Sequence, residues 1–415
     1  MIDALKRAWP LLFGMALLMI SNGLLVTLLT LRGHALGFDN TDIGIMQSAF
    51  PIGSIVSCWL TPKLITRVGH IRVFAALASL ASTGTLVHLI TDSLVTWSAM
   101  RLLVGFCYAG LYVVAESWLN DMADNRSRGA ILSLYFVIQT GGVTLGQLLI
   151  VGSEPTAILL FLVSSILISM SLIPILISAT PSPTIRQPRP LPLSGLFRLS
   201  PMGVIGSFLN GVAQSALYIG LGIYGTSLGL STARTATLVA ALTVGGMLLQ
   251  IPVGRLSDSV DRRWVIIGCS VAALPLCALL ILRQAADIDF TVTCLLVASV
   301  GGVCLPIYSI CLAHANDYLR RDEIVPAGST LIMVFYIGLV IGPTLSAAFI
   351  DRLGSAGLFY LLATVQGLTA LTGLFRLLRG QERVEEQGTA VPYSASSTTA
   401  VYVPGAEGSG NDRSE

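Results

Sequence analysis

The stretch AWPLLFGMALLMISNGLLVTLLTL, residues Ala8 to Leu31, runs for 24 residues without one ionisable side chain. As a helix it would be about 36 Å long, enough to cross a hydrocarbon core about 30 Å thick. It follows Lys6 and Arg7 as a signal peptide would. It is too long for one, however, and it leads into Arg32-Gly33-His34 with no small-residue cleavage site, so it reads as a retained helix. Similar apolar runs follow at Ile43–Leu60, Val73–Ile90, Leu94–Leu119, Ile131–Val151, Ala157–Ala179 and Met202–Gly225. The last five are Ala236–Val253, Val265–Leu282, Phe290–Ala315, Ala327–Ile350 and Ala356–Leu378, which makes twelve in all. Composition agrees. The 415 residues are 54% hydrophobic and 11% charged, whereas a soluble domain is about 25% charged. The expected fold class is an all-α membrane protein with twelve transmembrane helices, and a water-soluble enzyme is excluded.

Orientation follows from the basic residues, which short cytoplasmic loops retain. With the N-terminus in the cytoplasm, 19 of the 24 Lys and Arg fall on that face and only Arg32, Arg234, Arg283 and Arg352 on the other. An even number of crossings then puts both termini in the cytoplasm. A net charge of +2 gives no field for nucleic acid. The chain divides into a bundle over 1–179, a Pro-rich basic linker over 180–200, a bundle over 201–379 and a tail over 380–415 expected to be disordered.

The two six-helix halves repeat one another. Asn22-Gly23 recurs as Asn210-Gly211, Gly37 as Gly229, Gly53 as Gly245, Tyr112 as Tyr308, Asn120-Asp121 as Asn316-Asp317, and Gly142 and Gly146 as Gly338 and Gly342. The offset drifts from 188 through 192 to 196, as loop insertions would make it. Duplicated halves should fold alike, in two pseudo-symmetric six-helix bundles, with a solute site between them near the membrane midplane.

Two related six-helix halves joined by a basic linker resemble the major facilitator superfamily of secondary transporters. The loop motif Gly-x-x-x-Asp-Arg-x-Gly-Arg-Arg of that family is degenerate between the second and third helices, where Pro62, Thr66, Arg67, Gly69 and His70 stand. It is better kept between the eighth and ninth, with Gly254, Asp258, Arg262 and Arg263, although Asp261 replaces a glycine. The resemblance implies that these loops form cytoplasmic gates. Arg101-x-x-x-Gly105 is similar to a signature of proton-coupled members, and Gly142-x-x-x-Gly146-Gln147 is a partial antiporter signature whose full form appears at Gly338 to Pro343. Glu116 to Asn120, Gly69 to Arg72, His314 to Asp317 and the tail from Glu385 to Val403 are similar to a subgroup of bacterial inner-membrane transporters without assigned substrates. The resemblance places the chain in that membrane.

The fourth helix carries the most informative side chains. Arg101, Gly105, Tyr108, Tyr112, Glu116 and Asn120 are spaced to share one helical face, and a face bearing charges must point away from lipid. Arg101 is a candidate solute or anion contact and Glu116 a candidate proton carrier, about 22 Å apart along the axis. The structural alternative pairs Glu116 with Arg67 or Arg128. Neutral polar residues, Asn22, Asn210, Gln214, Tyr218 and Tyr308 together with Gln139 and Gln250, could line a cavity. They could equally bond helix to helix. Glycine pairs such as Gly142 with Gly146 read as close helix packing, no Gly-x-x-x-x-Gly-Lys-Ser/Thr loop occurs for ATP, and the seven cysteines lack metal spacing. Neither metal nor cofactor is expected.

These features lead to a secondary active transporter of a small solute, monomeric and working by alternating access, with proton coupling and export as finer expectations. The alternative is an uncoupled facilitator. An intramembrane enzyme would need a Ser/His or multi-His constellation, and none is evident. A protease site inserted after Ser182 should be cut only once the membrane is permeabilised; cleavage from outside intact cells would reverse the orientation.

Overall fold

In the computed structural model, residues 2–122, 128–151, 158–177, 192–282, 289–320 and 323–379 are described, and among them there is helix and no strand. The first half comprises α1 (Ile2–Ala35), α2 (Asn40–Val68), α3 (His70–Val87), α4 (Leu94–Met122), α5 (Arg128–Leu148), α6 (Ile158–Met170) and α7 (Leu172–Leu176). A short α8 (Leu193–Leu199) precedes the second half. That half comprises α9 (Pro201–Ser227), α10 (Thr232–Ser259), α11 (Arg262–Leu282), α12 (Phe290–Cys304), α13 (Ile307–Asn316), α14 (Ile324–Leu353) and α15 (Gly357–Leu378). Eleven spans among the described residues are long and apolar enough to cross a membrane, with α6 and α7 counted as one and α12 and α13 as another. The twelfth expected crossing is α5. It is about 31 Å long, and its first side chains lie partly outside the described residues.

Three details differ from the sequence expectation. The sixth crossing breaks at Ser171, three residues before Pro174, where the Ser171 hydroxyl donates to the Ile168 carbonyl at 2.6 Å. The tenth breaks at Leu305-Pro306, because proline has no N–H to give the carbonyl one turn back. The two-turn α8 lies within the stretch expected to be a linker without helical period. Residues 178–191 and 380–415, which hold most of that linker and the expected disordered tail, lie outside the described residues.

The duplication is visible in the packing. The α1 and α2 hairpin turns on Gly37 (φ 86°) as the α9 and α10 hairpin turns on Gly229 (φ 67°), a left-handed conformation that suits glycine. A Cβ added to Gly53 of α2 would strike the Leu102 carbonyl of α4, and one added to Gly105 would strike the Phe50 carbonyl. In the second half, Gly245 of α10 sits the same way against the Ala298 carbonyl of α12, and Gly301 against that of Leu242. The α1–α5 contact, through Gly23, Gly142 and Gly146, has its counterpart between α9 and α14 through Gly211, Gly338 and Gly342. Small residues let backbones approach where lipid supplies no hydrophobic drive between helices. Serine pairs add polar links: Ser21 with Ser164 at 2.6 Å and Ser82 with Ser165 at 2.7 Å. The bundles meet mainly through α2 with α14, α5 with α10 and α1 with α9.

Gly53→Ala and Gly245→Ala should each cost about 1–3 kcal/mol by overpacking, read as lower melting temperatures in detergent. Gly268→Ala, whose Cβ would meet nothing within 4 Å, should be neutral or stabilising.

Candidate functional site

Between the bundles lies a cavity of about 200 Å³. Seven of the residues anticipated from sequence line it: Asn22, Arg101, Tyr112, Gln139, Gln214, Tyr218 and Gln250. The α4 stripe is interior, as its charges require: Arg101, Tyr108, Tyr112 and Glu116 are all buried. Arg101 is 2% exposed and stacks its guanidinium over Phe50 of α2, 4.5 Å from the ring centroid, a cation–π geometry. Its Nε and Nη1 have no hydrogen-bond acceptor, and no carboxylate lies within ion-pair distance of it among the described residues.

The other anticipated residues go elsewhere. Tyr108 donates to the Leu18 carbonyl of α1 at 3.3 Å and joins α4 to α1 rather than facing the cavity. Asn210 donates to the Cys304 carbonyl at 2.9 Å, just ahead of the α12–α13 break. Tyr308 packs on Phe335 with ring centroids 4.3 Å apart. None of the three lines the cavity. Glu116 also lies off its wall, and accepts a hydrogen bond from the Tyr135 hydroxyl of α5 at 3.4 Å. Arg67 is exposed and makes no ion pair with Glu116, while the side chains of Arg128 and Asn120 lie outside the described residues.

Several lining residues were not anticipated as such in the sequence: Gln47, Phe50, Phe136, Thr140, Gln147, Ser215, Thr243 and Tyr336. Gln147 carried a usable signal, since it is the repeat counterpart of Pro343 and both reach the cavity. Its Nε2 donates to the Gly23 carbonyl at 2.7 Å. Gln47 donates to the Val26 carbonyl at 3.1 Å and to the Thr30 hydroxyl at 3.0 Å. Gln47 therefore spends both N–H groups on α1 and Gln147 one of its two, and the Oε1 atoms of both are buried without a partner.

At one end of the molecule α2 and α14 are tied by polar tips. The Asn40 amide and the Thr41 hydroxyl donate to the Asp351 carboxylate at 2.6 and 3.2 Å, and Ser48 meets Thr344 at 3.1 Å. The opposite end bears the loop motifs.

A sequence model of the Major Facilitator Superfamily matches residues 11–242 and 203–400, two overlapping matches that together span both halves. The chain belongs to that superfamily. It is 26% identical over 360 residues to the uncharacterized MFS-type transporter YcaD of Escherichia fergusonii, covering 86% of this chain and 92% of that one. The same figures for identity and coverage hold for YcaD of Shigella flexneri over 359 residues. Among solved structures, a mutant of the nucleoside transporter NupG superposes with a TM-score of 0.75 at 13% identity, over 89% of this chain and 99% of that one. A bacterial homologue of the human lysosomal transporter Spinster, in an inward-facing and occupied conformation, gives 0.68 at 14%, over 92% and 97%. The fold is therefore that of superfamily transporters, and the protein is a transporter rather than an enzyme.

The superfamily loop motif is built differently in the two halves. In the second, Arg262 is 1% exposed and donates from Nε to Asp317 at 2.8 Å and from Nη1 to Asp258 and Ser257, both at 3.1 Å. Arg263 holds Asp261 at 2.7 Å. Burial alone would raise the Asp261 carboxyl, but side-chain and backbone hydrogen bonds from Arg263 hold it below its ordinary value. Gly254 faces open space. In the first half, His70 takes the place of Arg262, and its Nε2 meets the Ser117 hydroxyl of α4 at 3.1 Å. Gly69, at φ 86°, is the single residue between α2 and α3. Arg262→Ala takes the guanidinium from two carboxylates and should destabilise by about 3 kcal/mol or more; Arg67→Ala, on the surface, should stay within about 0.5 kcal/mol. Thermal unfolding in detergent compares them.

Proposed function

We propose that the protein moves a small solute across the bacterial inner membrane by alternating access, binding it in the cavity between the bundles. The observation that carries this is the position of Arg101: a buried cation aimed into a space walled by residues of both bundles. A solute held there touches both halves, so their relative motion changes which side it can leave by. The bundles are taken as 1–179 and 201–379, joined by the segment 180–200 and followed by the tail 380–415, with both termini in the cytoplasm. The Asn40, Thr41 and Asp351 contact is then an extracytoplasmic closure and the Arg262 network lies at the cytoplasmic gate. Each chain holds a complete cavity, which supports a monomer as the working unit.

Glu116 is the proposed proton carrier. It is a buried carboxyl on the same α4 stripe as Arg101, bonded to a tyrosine of α5, and a proton gained or lost there changes the charge of the seam between the helices. Facilitated diffusion without protons is the second reading. It is favoured by the absence of any carboxylate among the described residues lining the cavity.

Distances between spin labels at Leu36 and Leu353, in protein reconstituted into liposomes, separate the two. Alternating access gives two distance populations. Proton coupling shifts their ratio between pH 6 and pH 8, and Glu116→Gln removes that shift. Two populations insensitive to pH would favour the facilitator, and a single distance under all conditions would overturn alternating access.

A further inference from the structure

We infer that the solute is an organic monoanion: a small carboxylate with an apolar or aromatic body and at least one hydrogen-bond donor. This rests on the reading of the central cavity as the solute site and names what the site takes. Among the described residues lining it, Arg101 alone carries a formal charge. A buried charge is ordinarily neutralised by a partner, because its desolvation is otherwise uncompensated. Here the described residues supply none, and Nε and Nη1 of the guanidinium are without acceptors. Stacking on Phe50 satisfies one face of the planar group and leaves its N–H edge for a ligand. That edge matches the two oxygens of a carboxylate.

Charge balance sets the ligand's valence. One lining cation is neutralised by one negative charge, whereas a dianion such as a phosphate monoester would bring a second charge with nothing opposite it. The remaining wall sets the body. Phe50, Phe136, Tyr112, Tyr218 and Tyr336 offer apolar and aromatic surface, which suits a ring or short hydrocarbon. Finally, the Oε1 atoms of Gln47 and Gln147 accept nothing, while both amides are anchored to α1 through Nε2. Acceptors held ready in this way call for a donor on the solute, a hydroxyl or N–H. The amide-rich wall taken alone would suit an uncharged molecule, and the cation without a counter-ion decides against it.

The test uses purified full-length protein and a panel of matched probes, 4-hydroxybenzoate, 4-hydroxybenzamide and 4-hydroxybenzylamine with their aliphatic counterparts, read by thermal shift. Carboxylates should stabilise the wild type and their amides and amines should not. Arg101→Gln should weaken carboxylate binding by roughly tenfold or more, and Arg101→Lys should restore part of it. Without ligand, Arg101→Gln should melt at or above the wild-type temperature, since it removes an uncompensated buried charge; a guanidinium serving only the fold would give a loss. Equal response to carboxylate and amide, carboxylate binding undiminished in Arg101→Gln, or no response to any carboxylate overturns the inference. Thr140→Phe, which fills the cavity, tells which reading has failed. If amides bind and Thr140→Phe abolishes it, the cavity remains the solute site and the anion is wrong; if probes bind and Thr140→Phe changes nothing, the cavity itself is wrong.

Discussion

Hydrocarbon accepts and donates no hydrogen bonds, and the rest of this protein follows from that constraint. Backbone polar groups must be satisfied within each crossing, so each crossing is a helix. Side chains that need water or a partner must turn inward. Helices then associate without the hydrophobic drive that packs soluble proteins, and they do so where glycine removes the side chain between two backbones, as Gly53 does against Leu102 and Gly245 against Ala298. Even the exceptions obey. Where Pro306 interrupts the tenth crossing, the Cys304 carbonyl ahead of the break receives the Asn210 amide.

Duplication supplied two copies of this framework, and the copies have divided the polar chemistry between them. The first bundle holds Arg101, Glu116 and the cavity amides Asn22, Gln47, Gln139 and Gln147, to which the second adds only Gln214 and Gln250 among the described residues. The second holds the intact ion-pair network around Arg262, whose first-half counterpart is His70 with Ser117. Asn22 and Asn210 occupy the same place in the repeat, yet one faces the cavity and bonds Tyr112 at 3.4 Å, while the other is consumed by a backbone carbonyl.

Much of this was legible in the sequence. Apolar runs gave the crossings, and the drifting offset of 188 to 196 the two halves. The inward turn of the α4 stripe could be read because a charge in lipid is so costly that spacing alone assigns the face. Neutral polar residues carry no such penalty. Asn210, Tyr108 and Tyr308 could serve the cavity or the packing, and the choice was made by neighbours far away in the chain, at Cys304, Leu18 and Phe335. Gln47 and Phe50 escaped for the opposite reason: each sits in an apolar run where nothing local distinguishes it from packing. Helix breaks were hidden as well, since Pro51, Pro252 and Pro343 lie inside continuous helices whereas Pro306 does not.

The two kinds of contact made by α2 have a mechanical consequence. Toward α4, within its own bundle, it is joined backbone against backbone at Gly53 and Gly105, a joint that cannot open gradually. Toward α14 it makes one close backbone approach, Gly44 on Pro343 and Thr344, and is otherwise held at the Asp351 end by side-chain tips, Asn40 and Thr41 on one carboxylate and Ser48 on Thr344. Such tips are exchangeable for water one at a time. The seam between α2 and α14 thus includes contacts that can part singly, whereas the glycine joints inside the bundle can only part together.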